Sequence, residues 1–132
     1  TNWGDTDISF SPNLISSVGF NYSPKKDLNI SILNKFVGDQ YMSNTESVVS
    51  KLNSYSTTDL NFIYSFKKSK YFNEIIFTAM LNNIFNKEYV SNGYYYTYDD
   101  TWSDPNIVTT IEGTGYYPQA KRNFLIGFTF KL

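Results

Sequence analysis

The sequence predicts an all-β, antiparallel chain, a transmembrane β-barrel segment made of about five C-terminal strands of a larger barrel. Three observations predict it. Apolar and polar residues alternate with period two in several segments rich in β-branched and aromatic residues, and helical periodicity is poor throughout. The strong segments run for about 9–11 residues, enough to cross a bilayer at a tilt near 45°, whereas soluble strands are more often ~5–6 residues. The connections between them alternate short and long, as in barrels with tight turns on one side of a membrane and long loops on the other.

The first segment runs from about Leu14 to Tyr22, with Leu14, Val18, Phe20 and Tyr22 on one face and Ser17, Gly19 and Asn21 on the other. Ser23-Pro24-Lys25-Lys26-Asp27 reads as a tight turn, because proline cannot donate to a ladder. The second spans Leu28 to about Gly38. Leu28, Ile30, Ile32 and Phe36 oppose Asn29, Ser31, Lys35 and Asp39, with Leu33 and Val37 as exceptions. Residues 40–56 show no clear period and are expected to form a long polar loop.

The third segment, Thr57 to Phe66, alternates Leu60, Phe62, Tyr64 and Phe66 with Asp59, Asn61 and Ser65, and Lys67-Lys68-Ser69-Lys70 follows as a basic turn. The fourth, about Phe72 to Leu81, places Ile75, Phe77, Ala79 and Leu81 on one face. Its other face is mixed, holding Glu74, Ile76, Thr78, Met80 and Asn82. A long polar and aromatic loop is expected over 83–121. The chain closes on its clearest strand, Asn123 to Leu132. Phe124, Ile126, Phe128, Phe130 and Leu132 share a face, and Leu125 is the exception on the other.

Placing Leu132 at the periplasmic rim puts the turns at 23–27 and 67–70 on the periplasmic side and 40–56 and 83–121 outside, without conflict. The apolar faces then meet lipid, and Ser17, Asn21, Asn29, Ser31, Asn61, Ser65 and Thr129 meet a watery lumen. Tyr22, Tyr41, Tyr55, Tyr64, Phe66, Tyr71 and Phe72 near strand ends suit an interfacial aromatic girdle. Five strands cannot close a barrel, since about eight is the practical minimum, so the chain is expected to pair with further strands. Thr1 in place of Met suggests a piece of something longer.

Composition narrows the chemistry. The 132 residues allow one domain at most, and they contain no cysteine and no histidine. That removes disulfides, cysteine-ligated zinc, histidine-held haem and every Ser-His or Cys-His pair built within this chain, so no enzyme is expected. Lys+Arg is 11 against Asp+Glu 12, without the basic excess of a nucleic-acid binder. No apolar run approaches the ~18–20 residues of a transmembrane helix. Aromatic residues make up 19%, an excess concentrated in the strands and in the last long loop.

Three stretches carry a family resemblance. Val37-Gly38-Asp39-Gln40-Tyr41-Met42-Ser43-Asn44-Thr45 is similar to a strand end with a Gly-x-Gln-Tyr and Asn-Thr pattern. Leu81-Asn82-Asn83-Ile84-Phe85-Asn86-Lys87-Glu88-Tyr89 is similar to an Asn-Leu-Phe-Asn-Lys-x-Tyr signature after a penultimate strand, and is the most specific of the three. Tyr117-Pro118-Gln119-Ala120-Lys121-Arg122-Asn123-Phe124, running into Gly127-Phe128-Thr129-Phe130-Lys131-Leu132, is similar to a terminal strand. With these stretches the chain resembles the C-terminal end of a TonB-dependent outer-membrane receptor.

The resemblance implies a barrel of about 22 strands with an N-terminal plug, in the outer membrane of a Gram-negative bacterium. It implies active uptake of a scarce nutrient of the siderophore-iron, haem or cobalamin type rather than a glycan. The implied partners are outer-membrane lipid, the rest of the barrel and its plug, the TonB energy-transducing complex reached through that plug, the small-molecule nutrient and a surface lipoprotein. No cofactor is implied. Two departures stand out: the plug and the TonB-contacting segment lie outside this chain, and the terminal residue is Leu132 where many outer-membrane proteins end in Phe.

The loop at 83–121 holds Tyr89, Tyr94, Tyr95, Tyr96, Tyr98, Trp102, Tyr116 and Tyr117 with Asp99, Asp100, Asp104 and Glu112. Tyrosine and tryptophan give large contact area at low entropic cost, and each has a polar handle. Tyr94, Tyr96, Tyr98 and Trp102 are therefore the ligand-contact candidates. The same acids are weak calcium or glycoside-cleaving candidates, since nothing in the sequence positions them. Asn21-Tyr22-Ser23 and Asn29-Ile30-Ser31 are chance sequon matches on strands. The alternative to a receptor segment is a soluble β-sandwich or small β-barrel that binds a carbohydrate-type ligand through the tyrosine-rich loop. Requirement for detergent separates the two.

Overall fold

The computed structural model describes residues 4–67, 71–104 and 106–132. Thr1 and the lysines of the expected turn at 68–70 lie outside the described residues. The chain is all-β and antiparallel, and no α-helix occurs among the described residues. Its elements are β1 (Ile15–Lys25), β2 (Leu28–Val37), β3 (Gln40–Tyr41), a 3₁₀ turn (Val48–Ser50), β4 (Lys51–Leu52), β5 (Tyr55–Lys67), β6 (Glu74–Asn82), β7 (Val90–Asp100), β8 (Thr109–Pro118) and β9 (Asn123–Lys131). They fall into two compact units. One holds 16–36, 56–88 and 120–132, and the other holds 1–15, 37–55 and 89–119.

The first of these units is a five-stranded sheet ordered β1-β2-β5-β6-β9, built from the five segments whose period-two pattern marks them as strands. Their ends shift slightly. β1 runs on through Pro24 to Lys25, so the turn narrows to Lys26 and Asp27. Pro24 is tolerated because β1 is an edge strand, where a missing donor costs nothing. β6 starts at Glu74 rather than Phe72.

Register brings the apolar residues into rows that cross β5, β6 and β9. Leu60 faces Leu81, which faces Phe124. Phe62, Ala79 and Ile126 form the next row, then Tyr64, Phe77 and Phe128, then Phe66, Ile75 and Phe130. Ring contacts knit the rows: Phe77 lies 5.2 Å from Phe128 and 6.0 Å from Phe62, and Tyr64 meets Phe66 edge-on at 4.4 Å. Ala79, the small residue of its row, leaves a shallow apolar depression of about 250 Å³ bordered by Leu60, Phe62, Leu81, Phe124 and Ile126. At one end of the sheet Phe72 packs on Phe130 at 5.1 Å, and Lys131 pairs with Glu74 at 2.6 Å.

The residues that break the alternation find one another on the opposite face. Met80 stands across from Leu125, and Leu33 lies over Gly19. Ile63 and Ile76 lie on that face too, among Asn61, Thr78, Gly127 and Thr129, and Ser65 donates its hydroxyl to Glu74. Within this unit the described residues form no second layer over the sheet. β1 and β9 are exposed along their whole length, and β6 is half-buried throughout.

The turn after β6 explains the Asn-rich stretch. Asn83 and Asn86 have φ of 50° and 55°, the left-handed region that Asn tolerates better than most residues. Asn83 is 4% exposed. Its amide donates to the Asp59 carboxylate at 2.8 Å, its side-chain nitrogen donates to the Lys87 and Ala120 carbonyls, and its side-chain oxygen accepts from the Lys87 amide. Asn86 accepts from the Arg122 amide, and Lys121 pairs with Glu88.

The buried apolar side chains among the described residues, Val37, Met42 and Leu52, all belong to the second unit. This accounts for Val37 breaking the β2 pattern: it belongs to this core. The stretch 40–56, expected as an irregular loop, is instead β3 paired with β4 around a 3₁₀ turn. Ser47 caps that turn, accepting from the Val49 amide. The fully buried Ser50 donates its hydroxyl to the Ser47 carbonyl at 2.8 Å. Asp39 pairs with Lys51 at 2.8 Å and accepts from the Ser54 amide. Each holds the other charged: the Asp39 carboxyl titrates below its usual range, and the Lys51 ammonium above its own.

Candidate functional site

The stretch expected as a long outer loop is a second correction. Most of it is the hairpin β7–β8, paired from Val90 opposite Pro118 to Asp100 opposite Thr109, with one irregularity between Val90 and Asn92. Tyrosine, threonine, valine and isoleucine favour extended backbone, and pairing with a matched partner outweighs the glycines that interrupt them. Asp100 closes the tip. Its carboxylate accepts from the Trp102 and Ser103 amides and from the Ser103 hydroxyl, and these three donors hold its pKa below the usual range.

Strand alternation then sorts the tyrosines. Tyr94, Tyr96 and Tyr98 project from one face of β7, opposite Gly115, Gly113 and Ile111 of β8. Their rings are nearly parallel, 6.3 Å and 6.5 Å apart, and Tyr117 joins them at 6.1 Å from Tyr94. The phenol ends of Tyr94 and Tyr96 lie over Gly115 and Gly113, where any Cβ would collide with them. Glycine is needed there for the rings to lean across the strand, an arrangement in which an aromatic side chain covers a glycine in the neighbouring strand. All four rings remain about half exposed, Tyr96 at 50%.

The other face of the hairpin joins the rest of its unit. Tyr95 donates its hydroxyl to Glu112 at 2.6 Å, and Ser47 donates to the second oxygen of that carboxylate at 2.8 Å. These two hydroxyls lower the Glu112 pKa, while the same carboxylate raises that of Tyr95. Met42 packs against Gly93, and Gln40 donates to the Ser91 carbonyl. Tyr89 stacks on Tyr55 at 4.3 Å at the hairpin's base.

Of the four sequence-derived contact candidates, Tyr94, Tyr96 and Tyr98 come together on one surface. Trp102 stands apart in the tip, 90% exposed. Sequence reasoning named Tyr117 only as part of the loop, and it did not single out Gly113 and Gly115. Their every-second-position spacing opposite a Tyr-x-Tyr-x-Tyr run is the signal that was present. The weak calcium candidates accept hydrogen bonds from nearby groups. Asp99 accepts from the Thr110 hydroxyl, and Asp104 accepts from the Asn106 amide. Among the described residues no group of three or more acids could hold a metal ion.

No protein-family profile matches the chain, and neither the curated proteins nor the solved structures contain a match to it.

Proposed function

We propose that the chain is wall and outer-loop structure from the C-terminal part of a TonB-dependent outer-membrane receptor, with the face of Phe62, Phe77 and Phe128 against lipid. The observation that carries this is the uncovered apolar face. Four aligned rows of large apolar side chains cross three strands, yet none of them is buried, and Phe128 is 59% exposed. A water-soluble sandwich would cover such a face with a second sheet. A barrel wall leaves it to hydrocarbon. Strands of 9 to 13 residues, antiparallel order and the place of β1 and β9 as edge strands, unpaired on their outer sides among the described residues, support the same reading.

In this reading the barrel is completed by further strands and holds a plug through which TonB acts. A surface lipoprotein is the further outer partner. The tyrosine face of β7–β8 contacts a small nutrient at the outer mouth, of the siderophore-iron, haem or cobalamin type. The test is fractionation of cells that make the full-length protein. Recovery in the outer membrane, with release only by detergent, is the expected result. Purification from detergent-free buffer as a stable monomer would overturn the reading in favour of a soluble binding module.

A further inference from the structure

A net charge of -1 conceals strong segregation. The unit made of 16–36, 56–88 and 120–132 carries ten basic and four acidic residues, a formal +6. The unit made of 1–15, 37–55 and 89–119 carries one basic residue, Lys51, and eight acidic ones, a formal -7. Lys51 is already paired with Asp39. Within the hairpin and its flanks, 89–119, there are four carboxylates and no lysine or arginine. Asp99, Asp100 and Glu112 each accept hydrogen bonds from hydroxyl or amide donors.

We propose that the Tyr94–Tyr96–Tyr98–Tyr117 face binds a small organic cation, of the quaternary-ammonium or guanidinium type, with its charge over the phenol rings. The inference rests on the hairpin being the ligand-contacting surface of the proposed receptor, and it names a cationic group that the nutrient carries where it touches this face. Aromatic faces attract cations through the ring quadrupole. The carboxylates of the hairpin, with Asp99 and Glu112 acting from its opposite face, supply a field that favours cations over anions. The rings are already seated over Gly113 and Gly115, so little side-chain freedom is lost on binding. Spacings of 6.1–6.5 Å let one ligand of modest size touch two rings at once.

The experiment uses the full-length protein in a non-ionic detergent and two probes that share a phenyl ring and differ in charge, benzyltrimethylammonium and benzenesulfonate. Binding is read by saturation-transfer NMR. The cation is expected to bind and the anion not to, and the cation's affinity should fall as salt is raised. Tyr96→Leu, which keeps apolar cover over Gly113, should weaken cation binding by about fivefold, while Tyr96→Phe retains it. Circular dichroism confirms that both variants fold. Equal binding of the two probes, or full cation binding by Tyr96→Leu, overturns the proposal. Failure here is separable from failure of the receptor reading. An outer-membrane protein that binds both probes alike loses only the cation assignment, and a buffer-soluble one that still selects the cation loses only the membrane assignment.

Discussion

Tyr96 reaches across the β7–β8 hairpin and lays its phenol over Gly113, filling the space that a side chain at 113 would occupy. The same relation one step along joins Tyr94 and Gly115. Ring and glycine are therefore one unit, and Gly113→Ala should displace the ring. Overpacking of this kind costs about 1–3 kcal/mol. Amide hydrogen exchange should report faster opening of β7 and β8 with β5, β6 and β9 unchanged.

The two faces of the five-stranded sheet should respond differently to charge. Phe62→Arg or Ile126→Arg puts a cation beside Ala79 in the uncovered apolar rows, at a cost of about 2–4 kcal/mol near the bilayer midplane. Ser65→Arg projects from the opposite face, where Glu74 can receive it. Folding yield, followed by the heat-modifiable shift of barrels on gels, should fall for the first two and hold for the third. Equal losses at both faces would argue against lipid contact.

Asn83→Ala removes a hub rather than a surface amide. It leaves the Lys87 amide and the Lys87 and Ala120 carbonyls without their partner and forces φ of 50° on a residue that disfavours it. Loss of buried hydrogen bonds predicts a cost of about 1–3 kcal/mol. Asn83→Gly, which suits the backbone but lacks the amide group, should recover part of it. Thermal unfolding of the two variants checks the order.

The Asp39–Lys51 pair gives a pH window with two edges. Asp39 titrates lower in the fold than in the unfolded chain, chiefly through the Lys51 hydrogen bond and then the Ser54 amide. Its contribution is complete above the ordinary carboxylate pKa and disappears as pH falls through the depressed value. Lys51 titrates higher in the fold, chiefly through its bond to Asp39. Its contribution is complete below the ordinary lysine pKa and disappears as pH rises through the raised value. Protection of the Ser54 amide, which donates to Asp39, should therefore weaken at acid pH, and Asp39→Asn should abolish that acid limb.

The five sheet strands were legible because each puts mostly apolar residues on one face and mostly polar or small ones on the other, and that is a period-two signal in sequence. Even the misfits were informative, since Met80 and Leu125 fall opposite one another. The hairpin was not legible. Tyr94, Tyr95 and Tyr96 put the same residue on both faces, erasing the alternation, and Gly113 and Gly115 lower the apparent strand propensity of the only partner strand available. The segment 40–56 escaped for another reason: its two-residue strands rest on caps and on the Ser50 and Asp39 hydrogen bonds, which carry no period at all. Tyr94, Tyr96 and Tyr98 could be named as candidates because tyrosine chemistry is visible in composition. Which of the eight aromatic residues share a surface depends on register, which composition does not encode.

The residues that flank the hairpin in sequence are tied to one another. Asn83 holds the Ala120 carbonyl, Asn86 holds the Arg122 amide, Glu88 holds Lys121, and the Gln119 amide donates to the Tyr89 carbonyl at 3.0 Å. These ties clamp the entry and exit strands without using any residue from 90 to 118. A replacement for 90–118 would leave these ties untouched, but it would have to keep the partners that Ser47, Gln40 and Met42 find in Glu112, Ser91 and Gly93.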